Sequence, residues 1–140
     1  MDLIKLSANE ALKMMKEGSL SSEEYVKAFL KQIELRENEV GAWIFLDPKL
    51  ALEQAREADK RWKDKTAGKL NGLPIGIKDI IDTKDMPTEN GSQLCKDRKP
   101  SKDAHLVKLL RNEGAVILGK CVTTEFALSG PGKTKNPKDL

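Results

Sequence analysis

The chain has 140 residues, about the length of one domain, of which 39% are apolar and 34% charged. A formal charge of only +3 gives no support to a nucleic-acid partner, and the two cysteines and one histidine are not spaced as zinc ligands are, so we expect neither metal nor cofactor. No apolar run is long enough to span a membrane and no secretion signal opens the chain, so we expect a cytoplasmic protein without a membrane partner.

Two helix-start signals stand in the first quarter of the chain. Ser7 and Ser21 are each followed three residues later by a glutamate, which is the pattern of a capping box. The first signal predicts a short helix that ends at Gly18, because glycine readily adopts the left-handed conformation that closes a helix. The second predicts a longer helix that ends near Glu37.

A short strand and a third helix are predicted next. The apolar run 42–46 has the length of a strand. Asp47 then provides a helix cap, and Pro48 stands at the first helical position, where its missing N–H costs nothing. This helix should end near Asp64. The residues that we expect it to bury are Leu50, Ala51, Ala55, Ala58 and Trp62.

The next predicted strand, 73–78, ends in a pair of charges. Its apolar residues, at 73, 75 and 77, share one face of the strand, so Lys78 should project from the other face. Pro74 and Gly76 on that face are small and leave room for another segment to approach. A desolvated lysine without a counter-charge loses its proton readily and can act as a base. The alternative is an ordinary strand end, with Lys78 and Asp79 both in solvent. Because the apolar residues resume at Ile80, the pair is a local conflict of the kind typical of functional sites.

The last predicted helix and strand complete an alternating pattern. Asp103 is expected to cap a helix over residues 104–113 that Gly114 closes. The continuous apolar run 115–118 is typical of a strand buried on both faces. Helices that alternate with short apolar strands predict an α/β fold, in which helices cover a sheet. The face of the last helix that we expect to be buried carries Leu106, Leu109 and Leu110.

Residues 127–134 approximate a phosphate-binding loop, with alanine in place of its first glycine. In a phosphate-binding loop, backbone amides bind the phosphates. Such a loop must follow a strand and precede a helix. Here residues 124–128 look helical, and Asn136–Pro137 disfavours a helix afterwards. A P-loop-like nucleotide binder is therefore an alternative that the local context opposes.

Short motifs follow one another in a specific order from residue 72 onward. They are Gly72-Leu73-Pro74 with Lys78-Asp79, Thr88 with Gly91-Ser92, Pro100 with Asp103-Ala104, Val107, Leu110, Gly114-Ala115, Gly119-Lys120, Thr124-Glu125-Phe126-Ala127 and Thr134-Lys135-Asn136-Pro137. With the opening helices, this order resembles the amidase signature family, serine hydrolases that use a Ser-Ser-Lys triad. The resemblance implies the N-terminal portion of that fold, with helices packed around a mixed sheet: residues 1–66 form a mainly helical segment and residues 67–140 the start of the amidase core.

The resemblance also implies a catalytic role for one residue. Lys78 matches the triad lysine, the base that acts through a serine in a cis peptide on the nucleophilic serine, which attacks an amide carbonyl. The implied activity is hydrolysis of a small-molecule carboxylic amide to an acid and ammonia or an amine. The glycine- and serine-rich signature that carries both serines is not found in the 140 residues. We therefore expect this chain alone to be inactive and Lys78 to be more exposed in it than in a complete fold.

Two alternatives to a hydrolase remain at this point. The serines would come from a second chain or from a missing C-terminal part, and the chain without them could be a non-catalytic fragment. Within the family, the A subunit of a glutamyl-/aspartyl-tRNA amidotransferase is the other possibility. The segment 129–134 and the weak net charge favour the general hydrolases.

Overall fold

Three strands form one mixed sheet with α-helices on both of its faces, in a computed structural model that describes residues 2–128 and 130–139. Met1, Ser129 and Leu140 lie outside the described residues. The helices are α1 (Ala8–Glu17), α2 (Ser22–Val40), α3 (Pro48–Lys63) and α4 (His105–Asn112). The strands are β1 (Trp43–Leu46), β2 (Pro74–Lys78) and β3 (Val116–Cys121). The predicted α/β class with a mixed sheet is confirmed.

The central strand of the sheet is β3, which pairs antiparallel with β1 and parallel with β2. It is buried from Val116 to Lys120, as predicted for a strand covered on both faces. Val116 and Leu118 pack with α2 and α3, whereas Ile117 packs with β2 and α4. Because β1 belongs to the first 66 residues, the mainly helical segment and the later segment share one sheet.

Helices α1 and α2 begin as the sequence predicts. The Ser7 and Ser21 side chains each accept a hydrogen bond from the backbone N–H three residues on, and the glutamate there accepts one in return. Gly18 ends α1 with φ of 74°, and Gly41 ends α2 with φ of 61°. Helix α2 thus continues past the predicted Glu37.

Helix α3 confirms the predicted cap, and its side chains complete the sheet. The Asp47 carboxylate accepts from the backbone N–H of Leu50 at 3.0 Å, with Pro48 at the first helical position. The Gln54 side chain bonds both the N–H and the C=O of Ile117, at 3.1 and 3.0 Å, where β1 has already ended. The Gln54 amide thus makes the two hydrogen bonds to Ile117 that a neighbouring strand would otherwise make. Of the five residues expected to be buried, Ala51, Ala55 and Ala58 are, while Leu50 and Trp62 are half-buried.

The predicted cap of α4 was wrong. Ala104 is the cap residue and provides no side-chain hydrogen bond. The Asp103 carboxylate instead accepts from the backbone N–H of Lys84 at 2.9 Å and lies 3.3 Å from the Arg111 guanidinium. Asp103 therefore ties the preceding loop to the helix, a long-range role that a local capping pattern does not reveal.

The predicted buried face of α4 was right for Leu110 and wrong for Leu106 and Leu109. Val107 is fully buried, whereas Leu106 and Leu109 are half-exposed, at 51% and 50%. Ala104, Val107 and Leu110, which are spaced three residues apart, are the residues that pack on β3 and β2. The helix carries two overlapping apolar stripes, and the smaller side chains fit against the sheet.

None of the described helices is long and apolar enough to cross a membrane.

Gly119 should tolerate no side chain. The register of β2 against β3 shifts just before Gly119, and a Cβ there would meet the backbone carbonyl oxygen of Phe45. We expect Gly119→Ala to lower the free energy of unfolding by about 1–3 kcal/mol in urea denaturation, because backbone must move. Gly132→Ala is the matched control, since its Cβ would lie 3.4 Å from the Val122 side chain, and it should change stability by less than about 0.5 kcal/mol. Equal unfolding midpoints for the two variants would contradict this account.

Candidate functional site

Lys78 is the last residue of β2, and its side chain is exposed. The expected approach of another segment to this face is observed: a Cβ on Gly76 would lie 2.6 Å from the Cys121 sulfur and 2.9 Å from the ring of Trp43. In the part of the chain that the structure describes, no carboxylate lies within ion-pairing distance of the Lys78 ammonium. The ammonium is thus free to meet a group that approaches from outside.

Asp79 follows directly and is buried, with only 1% of its surface exposed. Its backbone N–H donates to the carbonyl of Cys121 at 2.9 Å, and its carbonyl accepts from the N–H of Asn90 at 2.9 Å. Its carboxylate accepts from the backbone N–H of Glu89 at 3.2 and 3.3 Å. The two neighbours therefore have opposite environments, and the alternative in which both charges reach solvent does not hold for Asp79.

The buried lysine of the molecule is Lys120 in β3, which is 0% exposed. Its ammonium lies 3.4 Å from the Asp79 carboxylate. It donates to the carbonyls of Ile81 and Pro87, at 3.0 and 3.1 Å, and to the Thr88 hydroxyl. An ammonium has three N–H donors, so every donor has an oxygen within reach.

Burial lowers the pKa of Lys120 below the ordinary lysine value, because desolvation disfavours the charged form. The negative charge of Asp79 and its hydrogen bond to Lys120 oppose this effect. The two groups thus form an ion pair inside the protein, within a cage of oxygens. We call Lys120, Asp79, Ile81, Pro87 and Thr88 the buried clasp.

The burial of Lys120 was not predicted from the sequence, although the motif Gly119-Lys120 was noted. The sequence does contain a signal for this burial. Lys120 closely follows the apolar run 115–118 in a strand expected to be covered on both faces, so a lysine there has to find partners inside the protein. Those partners lie 32 to 41 residues away in sequence, from Thr88 to Asp79. No local pattern identifies them.

An open cleft of about 510 Å³ adjoins the clasp, lined among others by Ile80, Asp82, Asn90 and Arg98. Arg98 donates to both carboxylate oxygens of Asp82, at 2.7 and 2.9 Å. These hydrogen bonds lower the pKa of Asp82. Arg98 also donates to the carbonyl of Thr88 at 3.1 Å. Thr88, in the loop after β2, is therefore bound by Arg98 from the solvent side and by Lys120 from inside the protein.

A second tie connects this loop with the segment after β3. The Ser92 hydroxyl donates to the Glu125 carboxylate at 2.6 Å, and the N–H of Phe126 donates to the carbonyl of Asn90 at 2.8 Å. Four apolar side chains of these segments are exposed: Ile80, Leu94, Phe126 and Leu128, at 38%, 87%, 41% and 76%.

The phosphate-binding alternative gains no support from the fold. Its motif includes Ser129, which lies outside the described residues. Within 130–139 the chain forms turns and one isolated bridge between Asn136 and Asp139, with no helix. The helix N-terminus on which a P-loop places its phosphates does not follow in this stretch. Among the residues described, no group of three or more His, Cys, Asp or Glu side chains is placed to hold a metal ion.

Comparisons with known proteins give one consistent result. A family model described as Amidase matches residues 24–140. The chain is similar to the A subunit of the glutamyl-tRNA(Gln) amidotransferase of Dehalococcoides mccartyi, at 37% identity over 142 residues, which cover 97% of this chain and 29% of that protein. The chain spans less than a third of the length of this curated relative.

Solved structures agree with this match. The chain is similar to the native peptide amidase from Stenotrophomonas maltophilia, with a TM-score of 0.81 and 33% identity over 87% of this chain and 26% of that one. It is also similar to a fatty acid amide hydrolase, with a TM-score of 0.87 and 29% identity over 99% of this chain and 26% of that one. The predicted fold class is confirmed by these neighbours.

The clasp predicts strong coupling between its two charges. Lys120→Met should destabilise the chain by about 3–5 kcal/mol, because it leaves the Asp79 carboxylate buried without a counter-charge. The double variant with Asp79→Asn should recover a large part of that loss, since neither charge then remains. Urea denaturation followed by tryptophan fluorescence measures both. Exposed Lys108→Met is the control, and strictly additive losses would contradict the coupling.

The pair of Asp82 and Arg98 predicts a pH dependence. The folded-state pKa of Asp82 is lowered, so its contribution to stability is present above the unfolded carboxyl pKa of about 3.9 and is lost as the pH falls through the folded value. Asp82→Asn should therefore cost up to about 1 kcal/mol at pH 7, and the difference from the unmodified chain should shrink towards pH 3. Urea denaturation across this range measures it. Asp97→Asn, at an exposed carboxylate outside the ion pairs of the described residues, is the control. A cost for Asp82→Asn that does not change with pH would contradict the assignment.

Proposed function

The chain belongs to the amidase family, and on that premise we propose that it contributes the lysine base of a Ser-Ser-Lys amide hydrolase. The base is Lys78. The observation that carries the proposal is the contrast at the end of β2, where Lys78 is exposed and unpaired by any described carboxylate while the next residue, Asp79, is fixed inside the protein. A base needs a backbone that is held in place, and the part that carries the serines would have to cover the Lys78 side chain and desolvate it.

The proposed reaction follows the Ser-Lys mode of nucleophile activation. The neutral amine of Lys78 accepts a proton from a bridging serine, which in turn accepts one from the nucleophilic serine as that oxygen attacks the amide carbonyl. The C–N bond breaks, the leaving nitrogen takes up a proton, and water then hydrolyses the acyl-enzyme to the free acid. The products are a carboxylic acid and ammonia or an amine.

Both serines would lie outside these 140 residues, in a second chain or in a further part of the same polypeptide. Two observations support such a complement. Strand β2 lies at the end of the described sheet and has a free edge, and edges of this kind pair with additional strands. The exposed apolar side chains of Ile80, Leu94, Phe126 and Leu128 lie on the segments that continue from β2 and β3.

A second candidate function is the A subunit of a tRNA-dependent amidotransferase. The 37% identity to a protein of that name favours it. Both candidates begin with cleavage of an amide, and they differ in whether the released ammonia is lost to solvent or passed to a second acceptor. Lys78 would have the same role in each.

A chimera tests the proposed base. Residues 1–140 replace the corresponding portion of the Stenotrophomonas maltophilia peptide amidase, and hydrolysis of a peptide amide is measured. We expect activity that Lys78→Ala lowers by about 10²–10⁴-fold, the usual contribution of a general base. Exposed Lys108→Ala is the matched control and should leave the rate unchanged. Full activity of the folded Lys78→Ala chimera would refute the proposed role, and amide turnover by the 140-residue chain alone would refute the proposed location of the serines.

A further inference from the structure

The peptide unit that joins Lys78 to Asp79 is hydrogen-bonded at both of its polar atoms. Its N–H donates to the carbonyl of Cys121 at 2.9 Å, and its carbonyl oxygen, that of Lys78, accepts from the N–H of Ile81 at 3.0 Å. The first bond holds the unit to β3 and the second starts a tight turn. The direction in which the Lys78 side chain leaves the backbone is thus fixed by contacts on the protein side.

The turn belongs to a loop that closes on Asp79. The N–H of Asn90 donates to the Asp79 carbonyl, and the N–H of Glu89 donates to the Asp79 carboxylate. Residues 79–90 therefore form a ring of backbone around one point. Such a ring leaves carbonyl oxygens pointing inward, and those that are shielded from water need donors.

Lys120 supplies those donors from the centre of the ring. Its ammonium binds the Ile81 carbonyl and the Thr88 hydroxyl, which come from the two arms of the loop and also contact each other, and its charge is matched by Asp79. A methionine of similar length would satisfy none of these oxygens, and the planar guanidinium of an arginine would not match a tetrahedral set of acceptors.

The ion pair by itself gives little reason, in terms of stability, for a lysine at this position. A buried ion pair adds little to stability compared with well-packed apolar residues, because removing both charges from water is costly. Lys120 also makes no contact with solvent, so it cannot reach a substrate itself. The contacts of Lys120 hold in place the loop that follows Lys78.

We propose that Lys120, acting through Asp79 and the loop 79–90, is a positioning residue for the Lys78 base. The inference rests on the proposed function of Lys78. A catalytic base has to be held within a fraction of an ångström of its partner, and the buried clasp holds its backbone.

The first test measures local order in the 140-residue chain by amide hydrogen exchange. The double variant Lys120→Met/Asp79→Asn is used because it leaves no buried charge. We expect exchange at the amides of residue 79 and Ile81 to accelerate roughly tenfold or more relative to Val116, whose N–H donates to Leu73 at 2.8 Å in the same sheet. Equal acceleration at all three amides would show a global loss of stability only and would overturn the proposal.

The second test measures catalysis in the chimera. The same double variant should lower kcat roughly 10²-fold with little change in KM, since misplacing a catalytic group by about 1 Å has an effect of this size. The control is Val26→Ala, which removes buried methyl groups from a core cluster that contains no residue of the loop 79–90. It should reduce stability and leave kcat of the folded enzyme unchanged.

The two proposals fail in different ways. If Lys78→Ala abolishes activity while the folded double variant keeps its kcat, the positioning role is wrong and the proposed base stands. If Lys78→Ala keeps activity, the proposed base is wrong, and the exchange measurement still decides whether the clasp orders the loop. A clasp variant that lowers kcat no more than Val26→Ala does would also overturn the positioning role.

Discussion

A lysine ammonium near the end of a buried strand has to be satisfied by the protein alone, and much of this structure is arranged to do so. Lys120 lies in the central strand of the sheet, where water does not reach it. Its charge requires Asp79, and its N–H groups require carbonyl oxygens from a loop. The loop in turn closes only because Asp79 also accepts from backbone amides. One desolvated charge thus determines the path of the chain after β2.

The parts of the fold that follow from neighbouring residues were predictable. The two capping boxes, the Asp47 cap and the closing Gly18 depend on contacts within one helical turn, and all four were placed correctly. The parts that depend on distant residues were not. Asp103 was expected to cap a helix, and its carboxylate instead joins Lys84 and Arg111 across a loop.

The candidate site shows the same division. Alternation along β2 predicted that Lys78 would point away from the apolar face, and the exposed side chain agrees. Which lysine is buried could not be read from alternation, because Lys120 is stabilised by groups that only the folded chain brings together. Similarly, Val107 and Leu106 are equally plausible core residues by helical spacing, and the shape of the sheet beneath them decides between them.

The order of the strands also constrains how the chain can fold. The central strand, β3, is the last of the three in sequence, and β1 and β2 each pair only with β3. During synthesis on a ribosome, no part of the sheet can pair until residues 116–121 have emerged. Until then the apolar faces of α2 and α3 lack Val116 and Leu118, the strand residues at the centre of their cluster. Nascent chains that expose apolar surface in this way are prone to aggregate, so the position of β3 in the sequence lengthens the time during which this surface is uncovered.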